Sequence, residues 1–325
     1  MHSGRANHGW AGTAFGLRLS SDFSLPGLRP APAADPGDAP QTRIALAVPD
    51  SIEPLERSMR RERLSEKRAD DGRPLATIDV DQAGSFQFDA AGHGRFRLSG
   101  DGALIECAPC SIEPWRWQRY LTGQVLPFAS LLRGFEVFHA SAVEHQGGAV
   151  AFIGDSGAGK STLAFNLGPS CALVTDDVLA VDAEGPVVQA HPGFASLKLR
   201  PGAAHLLRSQ PPAASVIARS EHELIVSAER ATGPLPLRAV CFVIVHEDGP
   251  QARVERIEAP DASLLLQSTF NLVLETPRRL LNQLETCARI SREVPAYLVQ
   301  LPRQPDAEIA EQVLTSLGNF SKVAG

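Results

Sequence analysis

The chain has 325 residues, enough for two domains with proper cores, and its 31 basic against 37 acidic side chains leave a formal charge of −6. No basic block marks nucleic acid or an anionic membrane as a partner, and no apolar run approaches the ~20 residues that span a bilayer, the longest being about Ala239 to Val245. An odd count of five cysteines, and an amino terminus (Met1 to His8) without the apolar centre of a signal peptide, lead us to expect a reducing, cytoplasmic setting.

Residues 1–12 are expected to be disordered. From there to 115 the chain reads as a β-rich amino-terminal domain: Thr42 to Val48, Ala76 to Val80, Ser85 to Asp89, Arg95 to Leu98 and Ala103 to Cys107 are short, partly alternating runs divided by Gly, Asp and Pro. Between them, Pro26 to Pro40 is too rich in Pro and Gly for regular structure, and Arg57 to Arg73, dense in both charge signs, reads as a solvated face or exposed loop. A helical pattern over Ser111 to Arg133 marks the boundary region. Residues 116–320 then form a second domain of alternating type, α/β with a mixed sheet and flanking helices. Its predicted strands are Glu136 to Glu144, Gly148 to Ile153, Ala172 to Val181, Leu237 to His246 and Ala296 to Leu301. Its predicted helices are Ser161 to Leu167, Asp261 to Leu274, Thr276 to Ser291 and Asp306 to Leu317.

Inside that domain Gly154-Asp155-Ser156-Gly157-Ala158-Gly159-Lys160-Ser161 spells G-x-x-x-x-G-K-S, followed by Thr162. Its three glycines let a tight backbone turn present N–H groups to phosphate oxygens, and the helix opening at Lys160 adds its positive dipole end. Lys160 reaches the β- and γ-phosphates, and the Ser161 hydroxyl can ligate Mg²⁺. With only four lysines in the chain, a chance match to this pattern is on the order of a few in a thousand. The strand–loop–helix order around it is the order that ATP and Mg²⁺ binding requires.

Asp176 and Asp177 end an apolar run fifteen residues after Ser161, where one carboxylate can hold the metal while the other accepts a proton from an attacking hydroxyl. His139 precedes the loop in Phe-His-Ala-Ser-Ala-Val. By itself it is an ordinary strand histidine; its distance from the loop makes it a candidate. Lys198 and Arg200 are read either as phosphate contacts or as strand-edge cations, and Arg278 and Arg279 as solvated residues at a helix start, with stabilisation of transferred charge as the alternative. Cys107 and Cys110 form a C-x-x-C pair, but no second ligand pair lies near for zinc and no βαβ context for redox work. Trp115 and Trp117 beside them read as core or interface residues.

His139, the Gly154 to Ser161 loop and Val174-Thr175-Asp176-Asp177-Val178 together resemble the catalytic core of HPr kinase/phosphorylase, a family with a P-loop kinase domain distantly like phosphoenolpyruvate carboxykinase. The layout is more similar still to the shorter HPr-kinase-like proteins of bacterial peptide-biosynthesis clusters, lasso-peptide clusters among them. The shared features are an early Gly-Leu-x-Leu-x-Ser-Asp-Phe-x-Leu-Pro stretch (Gly16 to Pro26), His-Ala-Ser-Ala-Val before the loop, and Phe-x-x-Leu-Lys-Leu (Phe194 to Leu199). The resemblance implies that Lys160 and the loop amides hold ATP and that Ser161 and one aspartate hold Mg²⁺. The other aspartate is then the base; the favoured assignment makes Asp176 the base and Asp177 the ligand, with His139 beside them. The Glu-Arg-Gly-x-Gly signature tied to phosphorolysis is absent, Ser196 to Pro201 standing in its place.

The function expected is therefore an ATP- and Mg²⁺-dependent kinase acting on a serine-type hydroxyl of a peptide or small protein, a ribosomal precursor peptide of the lasso type included. A small-metabolite kinase of the same fold and a nucleotide-binding regulatory module are the alternatives. Neither nucleic acid nor membrane is expected as a partner, and a homo-oligomer is compatible with the sequence.

Overall fold

The computed structural model describes residues 10–25, 27–28, 41–48, 51–52, 61–110, 113–208, 215–221, 223–247, 249–270 and 273–318. It is a mixed α/β protein with several sheets and few helices, and it divides into two compact units, the first running to Gly134 and including 273–275, the second holding the rest from Phe135. No helix among the described residues is long and apolar enough to cross a membrane.

In the first unit β1 (Trp10–Ala14), β2 (Leu17–Ser21), β3 (Gln41–Leu46), β4 (Glu62–Arg68), β5 (Pro74–Val80), β6 (Phe86–Ala90), β7 (Gly94–Leu98) and β8 (Leu104–Pro109) make one sheet in the order β1-β2-β3-β8-β7-β6-β5-β4. Alternation along the strands puts Phe86, Phe88, Phe96, Leu98 and Ile105 on a buried face. A helix covers it, built as α1 (Pro114–Tyr120), a π-helical turn over Leu121–Val125 and α2 (Leu126–Leu132). In the wider turn the Leu126 N–H donates to Leu121 O, and Pro127, which has no N–H to place, follows in the first turn of α2. Phe128 meets Phe86 and Phe88 edge-on, with ring centroids 4.9 and 5.2 Å apart, and Tyr120 stacks on Phe96. Those contacts tie the helix to the first sheet, so the division falls at Gly134 rather than at the expected 115.

Two local expectations change. Strand β1 takes in Trp10 to Gly12, which the sequence reading left in a disordered terminus; 1–9 lie outside the described residues, as does the Pro26 to Pro40 loop apart from 27–28. The charged stretch is not all loop: Glu62–Arg68 is β4, at one edge of the sheet, where charged side chains discourage further pairing. Two of its neighbourhood's arginines are also tethered, because Arg61 and Arg63 reach the fully buried Asp79 at 3.1 and 2.5 Å. A carboxylate removed from water needs such partners.

The second unit begins with β9 (Glu136–Phe138), β10 (Ala140–His145) and β11 (Gly148–Ile153), then α3 (Lys160–Asn166), β12 (Leu173–Thr175), β13 (Leu179–Asp182) and β14 (Gln189–His191). Next come β15 (Ser196–Leu199), β16 (Val216–Arg219) and β17 (Leu224–Ser227), which form a separate small sheet in the order β15-β17-β16. The chain closes with β18 (Leu235–His246), β19 (Arg253–Ile257), α4 (Ala262–Leu266), α5 (Pro277–Glu293), β20 (Ala296–Pro302) and α6 (Ala307–Ser316). In the main sheet β11, β18 and β20 run parallel, while β10 pairs antiparallel with both β11 and β12.

Strand β11 is buried along its whole length, as a central strand covered on both faces must be. Val150 and Phe152 pack with Leu163 and Phe165 of α3 and Val313 and Leu314 of α6; Ala149, Ala151 and Ile153 pack with Cys287 and Ile290 of α5. The expected single strand over 136–144 breaks at His139, since β9 turns to pair with β13 and β10 with β11. The expected helix over 261–274 stops at Leu266 for a related reason. Ser268 O accepts the His139 N–H at 2.7 Å and Phe270 N–H donates to Val137 O at 2.7 Å, so the backbone leaves the helix to complete the end of β9.

Candidate active site

The loop 154–159 joins the end of β11 to α3. Gly154, Gly157 and Gly159 have φ of 156°, 93° and 96°, backbone that side chains other than hydrogen rarely adopt. Gly154 is also pressed on β18: a methyl group there would fall well inside contact distance of the Val243 carbonyl oxygen. Gly154→Ala is therefore expected to cost about 1–3 kcal/mol of stability, read as a lower denaturant midpoint, because neither the turn nor the central strand can yield. An unchanged midpoint would show that the loop tolerates the side chain.

Lys160 is buried and curls into its own loop, its Nζ donating to the carbonyls of Gly154 at 2.6 Å and Asp155 at 3.1 Å. Burial draws its pKa below that of a free lysine, opposed by the nearby carboxylates of Asp177, Asp176 and Asp155. Asp155 and Ser156 are exposed on the crown of the loop, Ala158 is buried, and Thr162 is half-buried on the first turn of α3.

Asp176 and Asp177 occupy the turn between β12 and β13, closed by the Thr175 hydroxyl donating to Val178 O at 2.5 Å. Asp177 sits at φ 71°, and this left-handed residue sends the two neighbouring carboxylates to different partners. Asp176 Oδ1 accepts from the hydroxyls of Ser161 at 2.7 Å and Ser141 at 2.6 Å, and its Oδ2 accepts the Lys198 backbone N–H at 2.8 Å. Desolvation raises its pKa; the Lys198 N–H and both hydroxyls pull the other way, while the adjacent Asp177 adds to the rise. Asp177 instead faces His139: their Oδ1 and Nδ1 lie 3.4 Å apart, and Nδ1 also meets the Asp177 carbonyl oxygen at 2.9 Å. The structure thus gathers Lys160, Ser161, Asp176, Asp177 and His139 around one loop.

Ser141 was not singled out in the sequence. Fully buried, it is the second hydroxyl on Asp176, and its position two residues after His139 in a strand-like run is the one signal that could have found it. Lys198 turns its ammonium to Glu223 at 3.6 Å, leaving its backbone N–H as its link to the site. Arg279 is corrected: it is 6% exposed and donates to Glu136 Oε1 at 2.9 Å, whereas Arg278 is exposed as expected. Cys107 is buried and Cys110 exposed, and no group of three or more His, Cys, Asp or Glu suited to a metal occurs among the described residues. Trp117 is buried against Phe23 at 5.0 Å; Trp115 is half-buried.

No protein-family model matches the chain, and no curated protein does. Among solved structures, the Hpr(Ser) kinase/phosphatase from Coxiella burnetii aligns with 56% of this chain and 99% of its own, at 12% identity and a TM-score of 0.27, a likeness too slight to assign the chain to a family.

Proposed function

We propose that the second unit is a kinase: it binds ATP with Mg²⁺ on the loop 154–161 and passes the terminal phosphoryl group to a serine-type hydroxyl on a peptide or small protein. The observation that carries this reading is the 2.7 Å hydrogen bond between Ser161 at the start of α3 and Asp176 at the end of β12. It joins a hydroxyl and a carboxylate, two hard oxygen donors of the kind Mg²⁺ prefers, at the mouth of a glycine loop whose lysine points inward.

The residues fit the groups they would hold. Lys160 and the loop N–H groups would bind the phosphates, and Ser161 with Asp176 would hold the metal. Bound Mg²⁺ neutralises charge on the β- and γ-phosphates. The assignment of the aspartates is thereby exchanged relative to the one favoured from sequence. Asp176 already serves the Ser161 hydroxyl, which leaves Asp177, 37% exposed in its side chain, to take the proton of the acceptor hydroxyl. His139, anchored by its N–H on Ser268, holds Asp177 in position. The peptide acceptor, including a ribosomal precursor peptide, rests on the family resemblance of the motifs.

The test is intact-mass analysis after incubation with ATP, Mg²⁺ and short peptides encoded beside the gene, alongside Lys160→Ala. The expected result is a gain of one phosphate on a peptide hydroxyl with the wild type and none with the variant. Transfer by Lys160→Ala at the wild-type rate would overturn the site, and ATP binding with no transfer to any peptide would overturn the acceptor class.

A further inference from the structure

Strand β15 delivers a cation to the crown of the loop. Leu197 and Leu199 are buried in the same core as Leu163 and Phe165 of α3, so strand alternation turns Lys198 and Arg200 outward. Strand β15 ends at Leu199, and Arg200 leads into the turn that follows, its carbonyl accepting the Ala203 N–H at 2.9 Å. The Lys198 N–H bond to Asp176 fixes this strand against the metal-side carboxylate. From there the Arg200 side chain reaches Gly157: a methyl group built on that glycine would lie 2.6 Å from Nη2, 3.2 Å from Cζ and 3.4 Å from Nη1. The guanidinium therefore sits over the middle of the loop.

Arg200 is exposed, and its guanidinium has no hydrogen bond or ion pair among the described residues, while Arg61, Arg63, Arg95 and Arg279 each have carboxylate partners. It shares the loop with Lys160, a second cation. Two cations converging on backbone that presents N–H groups repel one another until an anion lies between them. A planar fork suits two oxygens of one phosphoryl group, as an ammonium does not.

Resting on the reading of the loop as an ATP site, we propose that Arg200 is a catalytic residue that grips the terminal phosphoryl group, and so discriminates a nucleoside triphosphate from a diphosphate. Lys160 and the loop amides bind what the two nucleotides share. Arg200, entering from β15 on the side of Asp176 and Ser161, binds what only the triphosphate has. No bond is made or broken by Arg200; it neutralises charge on the group being transferred.

The test is calorimetric titration of the full chain with Mg²⁺-ADP and with the non-hydrolysable Mg²⁺-AMP-PNP, for wild type, Arg200→Ala, Arg200→Lys and Lys160→Ala. A lost charge-assisted contact predicts that Arg200→Ala weakens AMP-PNP binding about 10- to 100-fold and leaves ADP within about threefold. Arg200→Lys should recover part of the loss, as a point charge without the fork, and Lys160→Ala should weaken both nucleotides. If Arg200→Ala changes neither, or both by the same factor, the Arg200 proposal is overturned while the ATP site stands. If the wild type binds neither nucleotide, the ATP site itself falls, and this inference with it.

Discussion

Asp177→Asn is expected to lower phosphoryl transfer by about 10²- to 10⁴-fold, the range a positioned proton acceptor supplies, with nucleotide affinity in Mg²⁺ close to wild type. The substitution is unusually clean. Asparagine is among the few residues that tolerate the φ of 71° found here, and it keeps the size of the side chain while removing its basicity. Asp176→Asn should behave differently. Its side chain accepts two hydroxyl donors and a backbone N–H, so an amide there leaves one oxygen where two were used and weakens the hold on the metal. Mg²⁺-dependent nucleotide affinity and transfer should then fall together. Turnover and calorimetric affinity measured on both variants separate the roles; full turnover by Asp177→Asn would return the base to Asp176.

The second large effect concerns stability, away from the loop. Glu136 on β9 and Arg279 on α5 are 1% and 6% exposed and joined at 2.9 Å, yet Glu136 Oε2 and Arg279 Nε and Nη1 have no hydrogen-bond partner among the described residues. One hydrogen bond from Arg279 and one from the Val137 N–H do not offset the desolvation of the carboxylate. Burial accordingly pushes the Glu136 carboxyl up from its ordinary 4.5 to about 7, against the lowering pull of Arg279. Because the folded chain holds this proton to higher pH than the unfolded chain, the group's contribution is full below about 4.5 and is lost as pH rises through about 7. The span of 2.5 pH units corresponds to about 3 kcal/mol.

Arg279→Leu should therefore cost up to about 3–5 kcal/mol at pH 8, where the wild-type carboxylate loses its cation and must stay charged or bind a proton, and distinctly less at pH 5, where the carboxyl is already protonated. Glu136→Gln should flatten the pH dependence of the wild type. Urea midpoints at the two pH values decide it: an equal cost of Arg279→Leu at pH 5 and pH 8 would exclude Glu136 as the titrating group. Arg279 also closes off a role that the sequence left open for it, since a guanidinium committed to Glu136 is not available to transferred phosphate.

The loop was legible because its requirements are local. A backbone that turns at positive φ writes glycine into the sequence at 154, 157 and 159, and a phosphate-reaching lysine must follow at a fixed spacing. Part of the strands was legible too, β3 and β5 to β8 from a partial period of two and β11, β18 and β20 as short apolar runs, while β1, β2, β4, β14 to β17 and β19 were not expected. Their boundaries were less so: β10 and β9 were read as one strand, and α4 as a helix nearly three times its length, because both breaks answer to hydrogen bonds made between segments about 130 residues apart, His139 with Ser268 and Val137 with Phe270.

The sequence by itself determined that two carboxylates, a histidine, a lysine and a serine belong to the second part of the chain and that glycines shape the loop between them. Only the tertiary structure decided how they are shared out. Strand order is a non-local matter, so it took the pairing of β10 with both β11 and β12 to set Ser141 and Ser161 on Asp176 and His139 on Asp177. The arginines divide the same way: nothing in their local sequence separates Arg279 from Arg200. Burial on α5 gave the first an obligatory carboxylate, while the exposed end of β15 left the second over the loop.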